Sequence, residues 1–127
     1  MNEVAQGFLR KAKDAQSGSK FLLEGGHVNS AASEAYYVLF FTAQALLRAK
    51  GVDYRHSHSA VIRMYGFEFA KSKEIDPKFH RYLINARKRE IKANYRLDED
   101  VTKDEVREMM VWGKEFLQAA KKYLENQ

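Results

Sequence analysis

Between Gly25-Gly26 and Gly51 lies a stretch, about Asn29 to Lys50, that is apolar almost all round. Ala35, Tyr36, Tyr37, Val38, Leu39, Phe40, Phe41, Ala43, Ala45, Leu46 and Leu47 leave no broad polar face when wound on a helix of about 3.6 residues per turn. Such a helix needs neighbours on several sides. Ala31 to Leu47 spans 17 residues and contains Ser33, Glu34, Thr42 and Gln44, too short and too polar to cross a membrane. The segment is therefore expected to be the central helix of a bundle, with Asn29 or Ser30 as its cap. A second subunit is expected to cover one face, so that Tyr36, Tyr37, Phe40, Phe41 and Gln44 lie in the core or a dimer interface.

The rest of the chain carries the pattern of that cover. Residues 3–24 place Ala5, Phe8, Ala12, Ala15, Ser19 and Leu22 at spacings of three and four, one helical face of mostly small side chains. Gly25-Gly26 is a helix stop. A shorter helix is predicted from His58 to Ser72, capped by Ser57, with Val61, Ile62, Tyr65, Phe67 and Phe69 as its apolar surface. Asp76-Pro77, a cap followed by proline, opens a helix that runs to Tyr95. Thr102-Lys103-Asp104-Glu105 has the form of a capping box. The helix it opens, 103–125, repeats Val106, Met110, Gly113, Leu117, Ala120 and Leu124. No strand pattern competes. The expected fold class is all-α: an up-and-down four-helix bundle with one additional short helix, in a single domain of residues 1–127.

Composition narrows the functions. The absence of cysteine excludes disulfide scaffolds, thiolate zinc sites and cysteine nucleophiles. No basic region followed by an apolar run opens the chain, so no signal peptide is expected and the predicted location is cytoplasmic. The formal net charge is +5, yet residues 78–96 hold seven basic residues against the single acid Glu90, a local +6. The remainder is close to neutral. Lys78, Arg81, Asn85, Lys88 or Arg89, Lys92 and Arg96 follow helical spacing and form a basic stripe that a phosphate backbone could meet. Tyr95 could stack on a base beside it. The alternative is a solvated helix face, partly neutralised by the acids at 98–100. On the opposite face, Glu90 falls among Phe79, Leu83, Ala86 and Ala93. A charge there must be paired or line a cavity. It is either an ion pair to another helix or part of a polar pocket.

Of the four histidines, His56 and His58 form an H-x-H pair, but two ligands do not close a zinc site. No metal and no cofactor are expected. His58 is a candidate general acid or base, with Arg87 or Arg89 as the group that would stabilise a phosphate transition state. No G-x-S-x-G, phosphate-loop or paired His-Glu zinc motif occurs.

Ala35-Tyr36-Tyr37-Val38-Leu39-Phe40-Phe41-Thr42-Ala43-Gln44-Ala45-Leu46-Leu47 resembles the tyrosine-pair helix of small prokaryotic HEPN-domain proteins. His58-Ser59-Ala60-Val61-Ile62, then Phe67 to Lys71 with Lys73-Glu74-Ile75-Asp76, and finally Ala93-Asn94-Tyr95, resemble later segments of that family in order. The resemblance implies a bundle with a short extra helix and a homodimer through the long helices. It also implies a possible minimal nucleotidyltransferase as partner. It further implies RNA or nucleotide binding and a place in a two-gene toxin–antitoxin or nucleotidyltransferase system; the basic stripe assigns that binding to Lys78, Arg81, Lys88, Arg89, Lys92, Tyr95 and Arg96. Many family members are metal-independent RNases that use an arginine four to six residues before a histidine. Here seven residues, Gly51 among them, separate Arg48 from His56, and no arginine meets the spacing. The chain is thus expected to bind rather than cleave. The alternatives are an RNase with a non-standard site built on His58 and Arg89 or Arg87, or a protein-interaction subunit.

Overall fold

A computed structural model describes residues 2–127. Helices α1 (Glu3–Glu24), α2 (Val28–Ala49), α3 (His58–Tyr65), α4 (Lys78–Tyr95) and α5 (Lys103–Glu125) are joined by short connections, with a π-helical turn, Gly66–Lys71, after α3. There is no strand among the described residues.

α2 lies at the centre, with α1, α3, α4 and α5 all packed on it. Thirteen of its 22 residues are buried, as its apolar circumference requires. Leu39, Leu46 and Leu47 are fully shielded; each contributes about 1.5–3 kcal/mol by leaving water. Contacts of α1 with α2 include Phe8 with Phe41, ring centroids 6.3 Å apart, and Gly18 beside Glu34, and the small Ala12, Ala15, Ala31, Ala32 and Ala35 are all buried. Leu9 rather than Phe8 completes the buried face of α1, and Phe8 and Leu22 sit at its margin.

The start of α2 differs from expectation. Neither Asn29 nor Ser30 caps it; His27 precedes the first turn without a side-chain bond. The turn after α1 explains this. His27 N–H bonds to Leu22 O at 2.9 Å and Gly26 takes a positive φ of 83°, so the chain enters α2 directly. Asn29 instead fastens the α4–α5 loop to α2. Its amide donates to Asp100 at 3.1 Å, and its oxygen accepts from Val101 N–H.

The expected helix 58–72 is also not uniform. Its α-helical part ends at Tyr65, and the wider π winding takes over at Gly66. The imidazole of His80 from α4 fills the space beside Gly66, where a Cβ would lie 2.4 Å from the ring, and its Nε2 meets Ile62 O at 3.1 Å. The change of winding shifts the register. Phe69 is buried, whereas Phe67, expected inside, is 61% exposed.

The remaining caps follow the sequence. Asp76 Oδ1 accepts from Lys78 N–H at 2.9 Å ahead of α4. Both arms of the Thr102–Glu105 capping box form. α4 turns Phe79, Leu83, Ala86 and Glu90 inward. α5 buries Val106, Gly113, Leu117, Ala120 and Leu124 as expected, adds Met109 and Phe116, and leaves Met110 at the margin.

Gly113 sets how closely α5 approaches α2, because a Cβ there would lie 2.9 Å from Val38 Cγ1 and 3.2 Å from Val38 Cβ. Gly113→Ala is therefore expected to destabilise the protein by about 1–3 kcal/mol through overpacking. Urea unfolding should show the lower midpoint, and adding Val38→Ala should recover part of the loss. Undiminished stability of Gly113→Ala would show that the two helices do not approach this closely.

Candidate functional site

α2, α3 and α4 meet around Tyr36, and their polar side chains converge there. α3 begins at His58 because Ser57 Oγ accepts from Ala60 N–H at 3.3 Å, a cap that fixes His58 beside Tyr36. Its imidazole stacks on Phe40 with centroids 4.5 Å apart and reaches Tyr36 through Nδ1, 2.7 Å from the hydroxyl. The Arg87 guanidinium lies over the Tyr36 ring at 5.8 Å. From α4, Arg87 Nη1 donates to Glu90, whose other oxygen accepts from Asn94 Nδ2 at 2.6 Å. Asn94 Nδ2 also approaches Ser33 Oγ on α2 at 2.7 Å.

Glu90 is 5% exposed, so these partners are what permits its burial. The ion pair joins two residues of one helix. It does not tie α4 to another helix, one of the two arrangements expected from the sequence; the link to α2 runs through Asn94 and Ser33. The reason is spacing: residues 87, 90 and 94 lie on one side of α4, close enough to satisfy one another.

Electrostatics assign the protons. Burial pushes the Tyr36 hydroxyl far up, so it remains a donor. Burial, and next the Arg87 charge, hold the His58 imidazole below its usual value, with Glu90 opposing. The neutral ring accepts from Tyr36 at Nδ1, which leaves the proton on Nε2, the tautomer set by its partner. Among the described residues only Nη1 of Arg87 has a protein acceptor, and the side chain is 28% exposed, so N–H donors remain for a further partner. An anion at this cluster would meet a guanidinium and an imidazole from two different elements.

The basic stripe is placed differently. Lys78 pairs with Glu115 at 3.3 Å. Arg89 donates to Glu105 O at 2.8 Å and Glu108 at 2.6 Å and lies 4.6 Å over Trp112. Lys92 pairs with Glu105 at 3.2 Å, and Arg96 with Asp98 at 3.1 Å. α5 and the loop before it thus compensate most of α4's charge. Arg81 and Lys88 are exposed with no carboxylate partner among the described residues, and Tyr95 is 71% exposed. Arg89 faces α5 and does not join His58; Arg87 does. Tyr36, Phe40 and Gln44 are buried, while Tyr37 and Phe41 are half-buried, their rings tilted with centroids 5.3 Å apart. Gln44 accepts from the Tyr54 hydroxyl at 3.1 Å. Ser33 and Asn94 are not among the site residues expected from the sequence, although their spacing to Tyr36 and Glu90 is helical. No three side chains of metal-ligand type cluster among the described residues.

The match to known proteins agrees with this architecture. The chain belongs to the HEPN family: the HEPN domain covers residues 5–126. It is 38% identical to a UPF0332 protein of Pyrococcus horikoshii over 67% of this chain, a stretch that spans 59% of that relative's own length. A toxin candidate of Methanocaldococcus jannaschii is 30% identical over 91% of this chain and 78% of its own. A UPF0332 protein of Thermotoga maritima is 29% identical over 99% of this chain and 97% of its own. The bundle is accordingly an all-α, HEPN-like fold.

The charges around His58 give a test by NMR titration. Arg87→Gln should raise the His58 pKa, and Glu90→Gln should lower it further. Because the folded state resists the proton, stability is full above the ordinary imidazole value and declines as pH falls through the lower folded value. Arg87→Gln should shrink that decline. A His58 pKa unmoved by both substitutions would contradict the cluster.

Proposed function

We propose that this chain is a toxin-like HEPN protein that engages RNA, or a nucleotide as its minimal ligand, at the mouth formed by α2, α3 and α4. The observation that carries the reading is the meeting of His58 and Arg87 around Tyr36, while most other cations of α4 are held by carboxylates. A phosphate would take the remaining donors of Arg87, Arg81 and Lys88 would add unpaired charge, and Tyr95 would offer a face to a base. The toxin naming of two Methanocaldococcus jannaschii relatives supports the biological setting. A two-gene system with a nucleotidyltransferase partner in the cytoplasm completes the reading; no described helix is long and apolar enough to cross a membrane. The homodimer would use the half-buried aromatic patch of Phe8, Tyr37 and Phe41, which adjoins His58.

The same geometry favours RNA cleavage as the second reading. His58, whose Nδ1 lone pair is taken by Tyr36, would present its Nε2–H to a phosphoryl oxygen as the ribose 2′-oxygen attacks phosphorus, and water would take the 2′-hydroxyl proton. Arg87 would stabilise the charge gathering on the phosphoryl oxygens, and the 5′-oxygen would leave with a proton taken from water, giving a 2′,3′-cyclic phosphate. Arg87 here takes the part for which Arg89 was an alternative.

Binding and cleavage of a labelled single-stranded RNA by the protein, with EDTA present and the oligomeric state followed by light scattering, test both readings. Affinity should fall steeply with salt. Arg87→Ala should weaken binding by about tenfold, corresponding to roughly 1.4 kcal/mol, and Lys78→Ala should leave it nearly unchanged. Cleavage, where seen, should drop about a hundredfold or more in His58→Ala. RNA binding insensitive to Arg87, or a strict monomer, would contradict the reading.

A further inference from the structure

α1 and α5 run antiparallel on α2, and on the outer side they enclose an open groove of about 720 Å³. Leu23, Met110 and Val111 supply its apolar lining, and Val111 is 56% exposed. Lys20 and Lys114 line the same groove, with Glu24 the one carboxylate among its lining residues. Further along, Lys13 of α1 stands beside Lys121 of α5; burial, and then the Lys13 charge, hold the Lys121 ammonium below the usual lysine range. None of Lys13, Lys20, Lys114 and Lys121 has a salt-bridge partner among the described residues, in contrast to the paired cations of α4. Lys13 and Lys121 thus stand together as like charges, with Glu125 partly opposing, while Lys20 and Lys114 flank the apolar lining of the groove itself. From Arg107 to Lys114 the groove follows α5 for about 10 Å at roughly 1.5 Å per residue.

We propose that this groove docks an acidic amphipathic helix of a partner protein, its apolar side chains on Leu23, Met110 and Val111 and its carboxylates on the flanking lysines. Two parallel helical walls leave a trough in which a third helix packs, with anchors three and four residues apart. The apolar lining distinguishes the site from a nucleic-acid groove: no aromatic side chain lines it to stack a base. The surplus ammonium groups select an acidic helix over a neutral one and speed its encounter. The site is separate from the His58 mouth and does not depend on RNA binding there.

The test uses the full chain and a synthetic helical peptide with leucines spaced three and four apart and glutamates on both flanks. NMR shifts should centre on Leu23, Met110, Val111 and Lys114. The double variant Lys20→Glu/Lys114→Glu should weaken the peptide by about tenfold or more, and Lys122→Glu, a charge reversal on the other flank of α5, should not. Four outcomes overturn the proposal. They are no binding; equal binding of a peptide with serines in place of leucines; displacement of the peptide by an RNA oligonucleotide whose own binding depends on Lys20 and Lys114; and groove shifts produced by protein concentration alone, which would assign the groove to a second copy of this chain.

Discussion

Removing α2 from water organises the other elements. Its side chains point apolar groups in every direction, so no single partner suffices, and four segments close around it. Each meets a different texture. Glu34, Phe41 and Arg48 meet α1, Gly113 lets α5 reach Val38, and the larger Tyr36 and Phe40 occupy the wider space toward α3 and α4. That wider space is where polar groups enter. Tyr36 brings a hydroxyl to a position that burial alone would make costly, and His58 satisfies it.

Charge is distributed on a related principle. α4 is strongly basic, but it lies beside α5, whose Glu105, Glu108 and Glu115 face it. These contacts are partly exposed, so each is worth little for stability. Their larger effect is on potential: they reduce the positive field on the α5 side of α4 and leave it at Arg81, Lys88 and the remaining donors of Arg87. On the other flank of α5 the lysines of the α1 groove have no such compensation. One helix thus separates two electropositive regions of different character, one edged by a histidine and tyrosines, the other lined by aliphatic side chains.

Much of this was legible in the sequence. The glycine stops, the Asp76-Pro77 start, the capping box and the all-round apolarity of α2 specify local structure directly, so element order and the central helix followed from them. The end of α3 did not, because the π turn answers to His80, on another helix, rather than to anything within 58–72. The cap of α2 failed for a similar reason: Asn29 has a side chain suited to capping, but the turn geometry gave it to the α4–α5 loop. At the site, His58 and the anomalous Glu90 were readable one residue at a time. Which arginine joins them was not, since Arg87 and Arg89 differ by about 200° around the helix at roughly 100° per residue, and the sequence does not say which side faces α3. Likewise the stripe on α4 was visible as charge, while its neutralisation required knowing that α5 lies beside it.

The most direct test of where ligand chemistry resides on this fold is to follow side-chain NMR signals of His58, Arg87, Arg89 and Lys92 as a short single-stranded RNA is added. The His58 ring and Arg87 guanidinium signals should move first and saturate together, with Arg89 and Lys92 little changed. Early movement of Arg89 and Lys92 with a stationary His58 would place the ligand on the α4–α5 face and contradict the site described above.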